Sequence, residues 1–428
     1  MLFEYSCFCR FKCYKGADAV FFNFFLEDKM RHISVRGQSM PLSPIRKLAP
    51  YANDAKAKGK TVYHFNIGQP DVETPEEMLK VLGEIKTKVI AYGPSQGIPE
   101  YQDALVKYYA RYDIPLTRDN IMVTTGGSEA IIMAYTVCLD AGDEVLIPEP
   151  FYTNYNGFAT ATGVKIVPIT TKIDNDWEIP AVEEIEKLVT PNTKAVMICN
   201  PNNPTGKVYS REELAKIVQL AIKKDLFIFA DEVYREFIFN GEKHVSLLSF
   251  EEAKDRVVVM DSISKRFSSC GARIGAFVSY NKEIMKAALA YGQARLCPPT
   301  IDQMMAVRSA DLDDKYYETV VGEYKRRRDA VLATLKEMKG VEYRVPNGAF
   351  YIVIKLPVKN AEDFIIWLLT DFDVNGETVM LAPAEGFYST PGLGRNEARI
   401  AFVLNEEKTK RAMNVLKLGL EKYLELQK

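Results

Sequence analysis

The chain holds only three histidines, His32, His64 and His244, and none lies beside a candidate nucleophile. A histidine triad or a histidine metal cluster therefore does not carry its chemistry. Cysteine occurs seven times, an odd number without paired spacing. Cys7, Cys9 and Cys13 crowd the first residues without zinc spacing, and Cys138, Cys199, Cys270 and Cys297 are scattered. Such usage reads as reduced thiols in a cytosolic compartment. No apolar run reaches the roughly 18 residues a membrane helix needs. Excess charge is also missing: 55 Lys and Arg stand against 57 Asp and Glu, a formal net charge of −2. Nothing in that balance draws the chain to nucleic acid or an anionic membrane. The glycine turn at Thr125-Gly126-Gly127-Ser128 is not Gly-x-Gly-x-x-Gly, and no Gly-Lys-Ser/Thr follows it to make a Walker loop.

What is present is ordinary globular material: 428 residues, 47 % hydrophobic and 26 % charged. At roughly 150 residues per domain, two or three domains are expected. Residues 1–29 stand apart, rich in Phe and Cys, without helical or strand period and without the order of a signal peptide. An ordered arm and a membrane-touching segment are alternatives, but the stretch reads best as sequence upstream of a natural start at Met30.

Regularity begins near Lys60. Seven short apolar runs alternate with amphipathic helical stretches: Asn120–Thr124, Glu144–Ile147, Val164–Ile169, Lys194–Cys199, Leu226–Ala230, Arg256–Met260 and Gly275–Ser279. Nearly continuous apolar strands suit a sheet covered on both faces. The alternation predicts an α/β fold with a mostly parallel seven-stranded sheet, and ligands beyond the carboxyl ends of its strands. Helices are expected at Ser128–Leu139 and Arg211–Lys224. After Pro298 the pattern turns α+β, with helices at Thr300–Leu312, Tyr316–Lys339 and Glu406–Leu426 and strands at Ala349–Leu356 and Arg399–Leu404. The expected division is an extension (1–29), an arm that forms part of the small domain (30–60), a large domain (61–298) and a small domain (299–428). The basic run Lys325-Arg326-Arg327-Arg328 reads as a solvated helix face.

Four motifs follow the apolar runs. Ser262-Ile263-Ser264-Lys265, with Cys270-Gly271-Ala272-Arg273 after it, sets an amine between hydroxyls and a guanidinium able to fork a phosphate. Asn200-Pro201-Asn202-Asn203-Pro204-Thr205-Gly206 presents amides on a backbone held by prolines. Asp231-Glu232-Val233-Tyr234 ends an apolar strand with a carboxylate that is costly unless paired with a cation. Thr125-Gly126-Gly127-Ser128 offers bare N–H groups at a helix start to an anion.

An amine, an acid, amide and hydroxyl donors and an anion cup are the set that pyridoxal phosphate chemistry requires. In order and spacing these motifs resemble the class I and II aminotransferases of the fold-type I pyridoxal-phosphate family, bacterial aspartate aminotransferases above all, from about Met40 to the end. The resemblance implies that fold and a transferase of amino acid metabolism and biosynthesis. Its leading substrates are L-aspartate and 2-oxoglutarate. Aromatic amino acids or alanine are alternatives, as is a carbon–sulfur β-lyase on the same scaffold. A non-catalytic cofactor-binding protein is disfavoured by the intact Lys265, Asp231 and Arg273.

The resemblance also implies roles. Lys265 matches the Schiff-base lysine; a free lysine at neutral pH is uncharged only about once in a few thousand molecules, so its site must lower its pKa. Asp231 matches the partner of the pyridine nitrogen, an attraction of about 4 kcal/mol at about 4 Å and an effective dielectric of about 20. Asn203 and Tyr234 match donors to the ring's phenolic oxygen, and Tyr152 the ring-stacking aromatic. Gly127, Ser128, Ser262 and Arg273 match the phosphate cup. Arg399 matches the arginine that forks the substrate α-carboxylate, with Asn203 beside it. Gly68, in Asn66-Ile67-Gly68-Gln69-Pro70, matches the glycine loop over the substrate. Tyr92 matches a tyrosine given to the other subunit's phosphate, so a cytoplasmic homodimer follows, with small-molecule partners and no metal, nucleic acid or membrane. Where one subgroup holds a side-chain arginine six positions before Pro298-Pro299, this chain has Gly292; Arg295 is the nearest candidate.

Overall fold

The computed structural model describes residues 33–427. The readings made of residues 1–29, Met30 and His32 lie outside the described residues. In chain order the strands are β1 (Thr61–His64), β2 (Ile121–Thr124), β3 (Glu144–Glu149), β4 (Lys165–Thr170), β5 (Thr193–Cys199), β6 (Phe227–Asp231), β7 (Val257–Ser262) and β8 (Gly275–Val278). They continue as β9 (Glu342–Tyr343), β10 (Tyr351–Lys355), β11 (Glu377–Met380), β12 (Ala382–Pro383) and β13 (Glu397–Ala401).

The seven apolar runs form one sheet in the order β2-β8-β7-β6-β5-β3-β4. Pairings are parallel from β7 through β4, while β8 runs antiparallel to both of its neighbours. Successive side chains point to opposite faces, and each face meets its own buried cluster. Val196, Ile228 and Val259 go to one cluster; Met197, Phe229 and Met260 go to the other. Burial on both faces is why these runs read as continuous rather than alternating. Local signals set the helices between them. Arg211–Lys224 starts with a reciprocal bond pair between Ser210 and Glu213.

The remaining strands make a four-stranded sheet, β12-β13-β10-β9, and a two-stranded one in which β1 pairs in parallel with β11. β1 thus hydrogen-bonds to a strand some three hundred residues onward and not to the seven-stranded sheet. Val62, Phe65, Ile352, Val379, Ile400 and Leu416 share one cluster.

Two readings need correction. The helix expected at Thr300–Leu312 is α only over Thr300–Val307 and continues as a 3-10 turn, Arg308–Asp311. The basic run is not a solvated face throughout. Lys325 and Arg326 are exposed, but Arg327 and Arg328 are 4 % and 8 % exposed on the inner side of the helix Asp314–Leu335. Arg327 donates to Asp71 at 2.5 Å and to the carbonyl of Val403, and Arg328 donates to the carbonyl of Pro346 at 3.2 Å. Helical rotation separates these four neighbours, which a linear run of charge conceals.

Candidate active site

Strand direction brings the motifs together. β2, β3, β5, β6 and β7 all end at one edge of the large sheet. Gly127 and Ser128 follow β2 at the start of the helix Gly126–Cys138, Tyr152 follows β3, and Asn203 follows β5. Asp231 closes β6, and Ser262 closes β7 just before the one-turn helix Ile263–Arg266 that carries Lys265. Because β8 runs the other way, its amino end lies at the same edge and brings Arg273 with it. Arg399 comes from β13 and Gly68 from the loop after β1. These residues, with Tyr234, line one cavity of about 520 Å³. Tyr92 does not; it is 81 % exposed.

Asp231 is 4 % exposed and has no cation on it among the described residues. Its carboxylate accepts from the Tyr155 hydroxyl at 2.6 Å and from the Val233 N–H at 3.3 Å. Burial pushes its carboxyl up to about 6. A buried acid in that state asks for a positive partner from the cavity.

Lys265 donates from Nζ to the carbonyl of Gly68 at 2.9 Å. Burial lowers its pKa, and Arg399 and Arg273 push the same way. The amine is thereby readied as a nucleophile and a proton carrier. Arg399 is 1 % exposed with no carboxylate on it among the described residues. It donates to Asn203 Oδ1 at 2.9 Å and to the carbonyl of Asn66 at 2.6 Å, over the rings of Tyr351 and Phe387. Its Nε finds no partner, and burial lowers its pKa. A buried guanidinium left in this state calls for an anion.

Arg273 and its neighbours form an anion cup in the same cavity. Gly126 adopts φ +74°, and its missing side chain leaves room for the Arg273 guanidinium. Arg273 donates to the Cys270 carbonyl at 2.9 Å and still faces the cavity. Gly127 and Ser128, at the amino end of the adjoining helix, line the same cavity, where helix N–H groups favour an anion. Ser262 Oγ accepts from the Ser264 N–H at 3.1 Å.

Beneath the cavity lies a buried ionic layer. Arg266 Nη1 donates to both carboxylate oxygens of Asp261, at 2.8 and 3.0 Å, and Arg235 donates to Glu232 at 2.7 Å. Tyr109 links them, donating to Asp261 and accepting from Arg235, both at 3.2 Å. Glu232, Asp261 and Arg266 are the chain neighbours of Asp231, Ser262 and Lys265.

Several residues at or behind the site escaped the sequence. Tyr155 follows Tyr152 by three residues, a helical spacing that was available as a signal. Tyr351, whose hydroxyl lies 2.9 Å from that of Tyr234, stands on β10 with nothing local to mark it. Arg46 also lines the cavity, as do Ser264 and Cys270 of the motif around Lys265. Arg295 does not: its Nε lies 3.0 Å from Glu129, and it donates to the carbonyl of Val123 at 3.1 Å. His64 and His244 are outside it too, and His244 is a core histidine bonded to the carbonyl of Asn200.

Residues 60–416 match the family model described as aminotransferase class I and II. Aspartate aminotransferase of Thermotoga maritima is 31 % identical over 384 residues, 89 % of this chain and 97 % of that protein. Aromatic-amino-acid aminotransferase 2 of Thermococcus litoralis is 31 % identical over 392 residues, 89 % of this chain and 96 % of that one. The solved aspartate aminotransferase of Thermus thermophilus with maleate matches at a TM-score of 0.82 and 27 % identity, covering 91 % of this chain and 100 % of the other.

Proposed function

The chain belongs to the class I and II aminotransferases, and on that premise we propose that it moves the amino group of L-aspartate to 2-oxoglutarate with pyridoxal phosphate. One observation carries the cofactor assignment: a buried Asp231 without a cation faces the same cavity as the lowered amine of Lys265 and the anion cup around Arg273. The donor set fits pyridoxal phosphate. Asp231 would hold the protonated ring nitrogen, Asn203 and Tyr234 the phenolic oxygen, and Tyr152 the ring face. Gly127, Ser128, Ser262 and Arg273 would hold the phosphate, and Lys265 the aldehyde carbon. When bound, the group supplies an electron-withdrawing ring that stabilises charge on the substrate's α-carbon.

The chain's residues do the rest. Arg399 forks the α-carboxylate and so orients the α-hydrogen. The Lys265 amine would lift that proton from the α-carbon and carry it as the site's acid–base group. The Gly68 carbonyl accepts from the Lys265 amine and so fixes where it points. Aspartate rests on the names of the relatives and on maleate, a dicarboxylate, in the Thermus structure.

The exposed Tyr92 finds its use in a second copy of the chain, in a cytoplasmic homodimer. Among the described residues no helix is long and apolar enough to cross a membrane. The domain division proposed is a large domain up to residue 298 and a small one from 299, with β1 joined to the latter by its pairing with β11.

The test is the visible spectrum of purified protein with pyridoxal phosphate, before and after L-aspartate without an oxo acid. A yellow band that fades on addition supports the reading; a protein that never colours refutes it. Lys265→Ala should abolish turnover while keeping some cofactor affinity. Pyruvate and ammonia released without an acceptor would point to a lyase instead.

A further inference from the structure

We propose that Arg46 holds the far carboxylate of a dicarboxylic substrate, an assignment that rests on the transaminase reading above. Four cations line the cavity: Arg46, Lys265, Arg273 and Arg399. Lys265 and Arg273 face the cofactor, and Arg399 the α-carboxylate. Arg46 alone has no task there, and no carboxylate or carbonyl partners its side chain among the described residues. It is exposed where Arg399 is buried, so the cavity that both line reaches from the surface to the core.

The backbone beneath Arg46 is held in place. Its N–H donates to the Ser43 carbonyl at 3.1 Å, and its own carbonyl accepts from Ala49 at 2.9 Å. The preceding carbonyl, of Ile45, accepts from Asn66 Nδ2 at 3.4 Å. The Asn66 carbonyl in turn accepts from Arg399 at 2.6 Å. Ile45 also packs against the cluster of Ala382, Ala384 and Phe387, whose ring lies 4.9 Å from the Arg399 guanidinium. The backbone next to Arg46 is therefore registered against Arg399 by two hydrogen bonds and a shared apolar cluster.

The neighbouring cations are engaged elsewhere. Lys47 pairs with Glu362, and Arg295 is bound to Glu129. A four- or five-carbon diacid gripped at one end by Arg399 presents its second carboxylate toward the mouth, where a forked donor matches it. A monocarboxylic amino acid has nothing there for a guanidinium to bind.

The experiment compares holoenzyme with its Arg46→Gln variant, a substitution at an exposed position that leaves the core intact. For L-aspartate and 2-oxoglutarate, kcat/KM should fall about tenfold or more, the value of a charged hydrogen bond. For L-alanine and L-phenylalanine it should change by less than about twofold, and Arg46→Lys should recover part of the loss. Succinate, which cannot react, should raise the melting temperature of the parent and not of Arg46→Gln. Equal losses for both substrate classes, or no loss for either, would overturn the assignment and leave the transaminase reading standing. A parent that uses only monocarboxylic partners would overturn it too. A parent that reacts with no amino acid at all would overturn both.

Discussion

Arg399 and Asn203, 196 residues apart in the chain, share a hydrogen bond of 2.9 Å in which the guanidinium donates to Oδ1. That bond occupies the amide oxygen and leaves the Nδ2 donor as the group Asn203 can offer the cavity. Asn203→Asp would replace that donor with a carboxylate next to an otherwise unpaired arginine. The new ion pair would compete with every incoming α-carboxylate. Steady-state kinetics should show KM raised about tenfold or more for all amino acids alike. An unchanged KM would separate Arg399 from substrate binding.

Asp231 gives a pH signature. Burial raises its carboxyl from 3.8 to about 6, so the folded state binds the extra proton between those values. Stability without cofactor therefore falls as pH rises from about 4 to about 6 and stays lowered above that. Cofactor-free Asp231→Asn should be more stable than the parent at about pH 8, by at most about 3 kcal/mol, and lose that advantage below about pH 4. Urea unfolding at several pH values measures it. With cofactor bound the order should reverse, because the parent then has a cation for its carboxylate. A constant difference across pH would contradict the buried, unpaired assignment.

Gly68 tolerates no side chain. A Cβ there would overlap the Tyr351 hydroxyl, the group bonded to Tyr234. It would also shift the carbonyl that receives Lys265. Gly68→Ala should lower kcat/KM about tenfold or more while circular dichroism stays that of the parent. Full activity would show that the loop has slack the packing does not suggest.

Arg266 and Asp261 are 4 % and 0 % exposed. Arg266→Met leaves the buried Asp261 carboxylate without its ion-pair partner and should destabilise the fold by about 3–5 kcal/mol. Adding Asp261→Asn should recover much of that, since the stranded charge disappears. Denaturant midpoints of the two single variants and the double variant decide it; additive losses would mean that the pair is not coupled.

The seven sheet strands were legible because burial on both faces writes a continuous apolar run. Their order was not, and neither was the reversal of β8: an apolar run looks the same in either direction. That reversal matters, since it sets Arg273 beside Gly126. Lys265, Asp231 and Asn203 were found because each follows such a run within a few residues. Tyr351 and Arg46 were missed because their place depends on pairings and contacts made far along the chain. Arg327 and Arg328 misled because charge was counted along the sequence instead of around the helix.

The pairing of β1 with β11 limits how this gene can be cut. A product ending after residue 298 would retain the reactive amine, the buried acid and the anion cup. It would lose Arg399, Tyr351 and the strand against which the Gly68 loop is registered. Splitting or permuting the chain therefore has to reunite segments from near both ends before any carboxylate can be gripped. New termini are better placed in exposed loops away from Gly376, whose carbonyl receives the N–H of Thr61 at 2.8 Å.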